Sequence, residues 1–241
     1  MSKHKSSAVL EAIKTAGYAA LIALVIRTFA YEPFNIPSGS MIPTLLVGDF
    51  LFVSKYSYGY SRYSLPFGLP LISGRVWSRS PERGDVAVFK LPSDTKIDYI
   101  KRIVGLPGDV IQLRQSVLHV NGTVVKRERI EDHVVRNASG NSRRSAQYVE
   151  TFANGRSHGI LEESENGPLD STKPYTVPEG HVFAMGDNRD NSLDSRRIGF
   201  VPIKNLVGRA EFMFFSIDGS ILEFWKWPWT IRFGRLFDGI E

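Results

Sequence analysis

From Ala16 to Ile26 the chain reads AGYAALIALVI, without a single charge. The run is only about half a bilayer long, so a full span of roughly 20 residues must take in Lys14 or Arg27 near its ends. Either side chain can snorkel to the headgroups. Residues 8–31 are therefore expected to form a membrane helix. Lys3, Lys5 and Lys14 against Glu11 make the leading flank basic, which puts the N-terminus in the cytoplasm and the remaining chain outside. A cleavable signal peptide competes, with Thr28-Phe29-Ala30 as its end, but Arg27 sits where a cleavage region tolerates charge poorly. An interfacial amphipathic helix would want a charged face that Ala16 to Ile26 lacks. An anchor fits best.

Beyond the anchor, helical periodicity gives way to short strands and turn residues. DFLFVSKY at Asp49 to Tyr56 and the segment Val86 to Lys90 alternate as strands. Val117 to Val120 and Thr123 to Val125 flank Asn121-Gly122, a strong signal for a two-residue hairpin turn. Tyr175 to Met185 and Val207 to Ile217 read as further strands, and residues 113–177 as an inserted β-rich subdomain with long loops and no recognisable chemistry. The fold class is mainly β, with antiparallel sheets behind an N-terminal transmembrane helix. Net charge is +5 and the pI near 9.4, but Lys and Arg are dispersed, which speaks against nucleic acid and for an anionic lipid bilayer. The absence of cysteine excludes a disulfide scaffold and a thiol nucleophile, and it fits an extracytoplasmic location.

One stretch carries candidate chemistry. Pro37-Ser38-Gly39-Ser40-Met41-Ile42-Pro43-Thr44-Leu45 describes a rigid turn that holds Ser40 still while leaving its oxygen room. A serine hydroxyl needs a base. The five histidines, His4, His119, His133, His158 and His181, are scattered with no carboxylate at a telling spacing and read as surface or turn residues. No His-Glu-x-x-His run exists, so a zinc protease is unsupported. A lysine remains, and it serves only if burial lowers its pKa. Lys101 sits within Asp98-Tyr99-Ile100-Lys101-Arg102-Ile103-Val104-Gly105, where alternation turns it inward if Arg102 faces water. The competing reading makes both cations edge-strand charges. A third stretch, Met185 to Arg196, is dense in Asp and Asn that tie down backbone amides, which makes it a rigid polar loop. Arg189 and Arg196 offset the charge that a hard cation would need there.

Pro37 to Leu45, Arg83-Gly84-Asp85 through Tyr99-Ile100-Lys101-Arg102 to Gly105-Leu106-Pro107-Gly108-Asp109, and Gly186 to Arg196 with Gly199-Phe200-Val201-Pro202 together resemble the signature boxes of the bacterial type I signal peptidase (leader peptidase) family. The resemblance implies a membrane-bound serine endopeptidase that cuts signal peptides from preproteins after Ala-x-Ala, with no cofactor and no metal. It implies Ser40 as nucleophile, Lys101 as base, the Ser40 amide and Ser38 hydroxyl as oxyanion donors, and Ser192 as the group that orients the amine. Asp187, Asp194 and Arg196 would brace the site. Tyr99 and Ile100 would keep water from the amine, and Phe34, Ile36, Pro37, Met41, Leu45, Leu51, Val88, Tyr99 and Ile100 would contact an extended substrate lying beside Arg83 to Lys90. The domains implied are an anchor over 1–31, a catalytic β domain over 32–112 plus 178–241, and the insert over 113–177. Location at the bacterial inner membrane follows, with the catalytic part extracytoplasmic and the translocation machinery as a further candidate partner.

Two other classes stay open on the residues alone. A self-cleaving repressor also uses a Ser/Lys pair but would need a DNA-binding helix-turn-helix where this chain has an apolar anchor. A membrane-anchored β binding module without activity would use Ser40 and Lys101 only as turn supports. Leu65-Pro66-Phe67-Gly68-Leu69-Pro70-Leu71-Ile72 is an apolar loop that either dips into the bilayer or folds over the core. The tail Phe224-Trp225-Lys226-Trp227-Pro228-Trp229 suits either a headgroup layer or packing on the domain.

Overall fold

The structure is a computed structural model of the chain, and it describes residues 2–65, 68–136, 142–164 and 167–240. Its one long helix, Ser2–Phe29, contains a 21-residue stretch, Val9–Phe29, long and apolar enough to cross a membrane and unburied by the rest of the protein. Arg27 closes it against Glu32 at 2.9 Å, and the Tyr60 hydroxyl donates to the Phe29 carbonyl at 2.7 Å, so the helix end is tied to the body.

The remainder is mostly antiparallel β. A seven-stranded sheet runs in the spatial order Tyr31–Asn35, Asp49–Ser54, Leu206–Ser216, Val86–Leu91, Asp94–Gly105, His181–Met185, Val201–Pro202. The strand Tyr31–Asn35 pairs on one edge only. The strand Asp94–Gly105 pairs with Val86–Leu91 at Asp94 and from Asp98 to Arg102, but His181–Met185 covers its other edge only from Arg102 onward. Leu51, Val53, Val86, Val88, Met41 and Leu45 pack one face of this sheet into a buried cluster.

Residues 110–176 contribute two four-stranded sheets. In one, Val117–Val120 turns into Thr123–Val124 through Asn121 and Gly122, both with positive φ (53° and 79°), the left-handed backbone that a two-residue hairpin turn requires. The other centres on Ser142–Thr151, flanked by Lys126–Arg129, His133–Arg136 and Ser157–Glu162. Leu113, Leu118, Val125 and Phe152 share a buried cluster with Val104, Phe183 and Met185 of the large sheet. The strand expected over Tyr175 to Met185 is two strands, Tyr175–Thr176 and His181–Met185, because Pro178 and Gly180 (φ 73°) turn the chain between them.

Among the described residues of the apolar loop, Leu69 and Leu71 are exposed rather than folded over the core, while Leu65 and Ile72 are half-buried; Pro66 and Phe67 lie outside the described residues. The tail packs on the domain through one of its tryptophans. Trp227 packs on Phe215 with ring centroids 5.5 Å apart, and Trp225 and Trp229 stay exposed.

Candidate active site

Ser40 sits in a single 3-10 turn, Gly39–Met41, entered from Ser38 in extended backbone. The turn buries Met41 beneath it and leaves Ser40 only 7% exposed. Lys101 reaches it from the strand Asp94–Gly105: the amine donates to Ser40 Oγ at 2.6 Å and to the Ile100 carbonyl at 2.9 Å. It also stands 5.4 Å from the Tyr99 ring centroid. Both hydrogen-bond partners are neutral oxygens, and Lys101 is 4% exposed. Burial lowers its pKa to about 8, against the opposing pull of Asp194 and Asp187.

Those two carboxylates are held charged by other groups. Burial alone would raise Asp187, but Arg102 holds it below the usual carboxylate range with bonds of 2.9 and 2.8 Å, and Thr44 Oγ1 donates to it as well. Asp194, likewise pressed upward by burial, is held low by Arg196 at 2.9 and 2.8 Å and by the Gly186 amide at 3.0 Å. It also caps the short helix Ser195–Ile198. The expectation that Arg102 faces water is wrong. It is 1% exposed, because the sheet carrying it is covered on both faces and Asp187 supplies a buried counter-charge.

The polar loop docks directly on the Ser40 turn. The Asn188 amide donates to the Ser40 carbonyl at 3.1 Å, and its side chain donates to the Gly39 carbonyl at 3.2 Å. Gly186 makes the approach feasible: a Cβ there would lie 2.6 Å from the Ser40 carbonyl oxygen and 2.3 Å from Ser192 Oγ. Ser38 Oγ is 3.5 Å from Ser40 Oγ. Ser192 is buried nearby, but its hydroxyl makes no hydrogen bond to Lys101; it leans toward Asp194 without good hydrogen-bond geometry.

A cleft of about 580 Å³ opens beside the pair. Phe34, Ile36 and Pro37 form one wall, Tyr99, Ile100 and Ile97 the other, with Val88, Ser38, Asn191 and Leu193 completing it. Met41, Leu45 and Leu51, expected to contact substrate, do not line it. All three are fully buried in the core cluster behind the wall, since the turn and the alternation of Asp49–Ser54 point them inward. Nor can a substrate lie beside Val86–Leu91, whose two edges are taken by Leu206–Ser216 and Asp94–Gly105. The unpaired edges belong to Tyr31–Asn35 and to the first part of Asp94–Gly105, which face each other across the cleft.

Against known proteins, the family model Signal peptidase, peptidase S26 matches residues 9–215. The chain belongs to this family. Signal peptidase I of Rickettsia typhi is 40% identical over 242 residues, spanning 91% of this chain and 89% of that protein. Signal peptidase I of Rickettsia canadensis is 38% identical, spanning 93% and 91%. A crystal structure of a signal peptidase I from Enterococcus faecalis V583 aligns at 28% identity over 54% of this chain and 97% of that one, with a TM-score of 0.33. As a member of the signal peptidase family the chain is a hydrolase and a serine endopeptidase that processes signal peptides. That sets aside the repressor and the inactive binding module.

Several bracing residues escaped the sequence. Glu150 makes a buried bidentate pair with Arg189, tying the polar loop to the strand Ser142–Thr151. His158 and His119 are buried rather than superficial. His158 stacks on Phe152, and burial, with Arg102 and Arg189 adding to it, keeps the ring neutral. Thr44, Gly186 and Asn188 stood inside recognised motifs, yet only the fold reveals their tasks.

Proposed function

We propose that Ser40 is the nucleophile and Lys101 its general base in removing signal peptides from exported preproteins after Ala-x-Ala. One observation carries this reading: a buried amine, free of any contacting carboxylate, lies 2.6 Å from a buried serine hydroxyl at the edge of an apolar cleft. The neutral amine takes the Ser40 proton as Oγ adds to the scissile carbonyl, and the ammonium returns it to the leaving amine. The same amine then deprotonates the water that hydrolyses the acyl-enzyme. The Ser40 amide and Ser38 hydroxyl stabilise the oxyanion, and Ser192 orients the amine. Asp187, Asp194 and Arg196 brace the loop.

The substrate runs extended between the free edges of Tyr31–Asn35 and Asp94–Gly105, as an added strand. Phe34, Ile36, Val88 and Ile100 narrow the cleft toward small side chains, with Met41, Leu45 and Leu51 packing behind them. We assign the chain to the bacterial inner membrane, N-terminus cytoplasmic, with residues 32–112 and 178–241 as the extracytoplasmic catalytic domain around a 113–177 insert. Exposed Leu71, Trp225 and Trp229 support contact with the bilayer.

The test is cleavage of a purified preprotein in detergent. Ser40→Ala and Lys101→Met are each expected to stay folded and lose turnover; normal cleavage by either refutes the pair.

A further inference from the structure

The polar loop has a second neighbour, the end of the strand Ser157–Glu162. The Leu161 amide donates to the Asp187 carbonyl at 2.9 Å, and the Arg189 amide donates to the Leu161 carbonyl at 2.9 Å. Just past this joint stands Glu162, 6% exposed, with both carboxylate oxygens buried and without a hydrogen-bond partner among the described residues. An ionised carboxylate in that condition is strongly unfavourable unless a cation meets it. The guanidinium of Arg127 comes no nearer than 3.7 Å and donates to the Ser116 carbonyl instead. Arg189 is committed to Glu150.

Two further acids converge on Glu162. Asp170, buried, and Asp190, exposed, each bring a carboxylate oxygen so that one oxygen from each of the three groups lies within 4.8 Å of the others. Their remaining bonds hold them in place. Asp190 Oδ2 accepts from the amides of Glu163 and Ser164 at 2.7 and 2.9 Å, and Asp170 Oδ2 accepts from the Gly167 amide. Gly167 leaves room between them, since a Cβ there would lie 2.9 Å from Asp190 Oδ1 and 3.1 Å from Asp170 Oδ1.

We propose that Glu162, Asp170 and Asp190 form a site for a hard divalent cation of the calcium type, which pins the polar loop to the strand Ser157–Glu162. Oxygen-only donors from three separate segments suit calcium, whose coordination is adaptable, better than magnesium, which demands a near-ideal octahedron. The site is distinct from the Ser40–Lys101 pair and stands whether or not that pair is the catalytic one.

The experiment uses the full chain in detergent, stripped with chelator, with calcium chloride followed by thermal melting and by calorimetric titration, and sodium chloride at matched ionic strength as control. With a dissociation constant of about 10⁻⁴–10⁻³ M, as for extracellular modules, melting is expected to rise roughly 3–6 °C at ~10-fold excess of calcium. Glu162→Gln and Asp190→Asn are expected to lose the rise. Asp190 is exposed, so its variant remains informative if Glu162→Gln fails to fold. A wild-type melting point indifferent to calcium, or an undiminished response in Asp190→Asn, overturns the proposal.

Discussion

Among the described residues two lysines are buried to almost the same degree, Lys55 at 3% exposure and Lys101 at 4%, and only one of them touches an acid. Lys55 forms a salt bridge with Glu32 at 3.0 Å and donates to the Ser64 carbonyl at 2.8 Å. Burial lowers both pKa values, but at Lys55 the Glu32 carboxylate pulls directly against it. At Lys101 the nearest carboxylates act only from a distance, each occupied by its own arginine, Asp187 by Arg102 and Asp194 by Arg196. The difference teaches that burial is not enough to make a lysine a base. In the proposed mechanism the surroundings must also deny it a carboxylate to bind, as Arg102 and Arg196 do by occupying Asp187 and Asp194.

The comparison breaks most sharply on a pair of variants. Lys101→Met is expected to lower preprotein cleavage by ~10⁴-fold or more, the upper range for a general base, whereas Lys55→Met keeps it within about threefold of wild type. Comparable losses in both would erase the distinction. Less drastic is the pH profile. A base that is neutral only above about 8 predicts that kcat/KM falls tenfold for each unit below that value, so that pH 6 retains ~1% of the plateau. A flat profile between pH 6 and 9 would remove Lys101 from the role.

Stability should move in opposite directions in the same two variants. The folded pKa of Lys101 lies below the 10.5 of a free lysine, so between about 8 and 10.5 the unfolded chain binds more protons and wild-type stability rises with pH. At neutral pH the buried ammonium is a liability, and Lys101→Met is expected to gain stability, with a ceiling of ~3 kcal/mol. Lys55→Met strands part of Glu32 and is expected to lose about 1–3 kcal/mol. Denaturant melts at pH 7 check both signs. The smallest effect sharpens the arginine argument: Asp194→Asn removes a carboxylate that raises Lys101, so the acid limb of the rate profile moves to lower pH by a fraction of a unit. A move to higher pH would contradict it.

Much of this was legible in the chain. The anchor and the Asn121-Gly122 hairpin are local chemistry, and local chemistry can be read from adjacent letters; Pro178 and Gly180 are just as local, yet Tyr175 to Met185 reads as one strand because its apolar residues outweigh them. The Ser40 and Lys101 stretches were legible through motif resemblance, not spacing, because the residues are 61 apart and Lys55 in DFLFVSKY satisfies the same apolar-strand pattern. Directions were harder. Alternation alone does not say that Arg102 points inward, nor does the motif say that Met41, Leu45 and Leu51 point into the core, because a motif names residues without saying which way they point. Glu150 gave no signal: its partner Arg189 is 39 residues away, and one acid in a polar segment looks solvated until the fold closes over it.

The two bare strand edges around the cleft carry a hazard of their own. Between turnovers the sheet is unfinished at Tyr31–Asn35 and at the leading half of Asp94–Gly105, and an unfinished sheet recruits whatever extended backbone drifts by, including a second copy of itself. Lys96 and Asp98 put charge at that rim, which discourages such pairing. A peptide that completed the gap yet resisted attack would be retained by its backbone, provided its side chains were small enough for the walls.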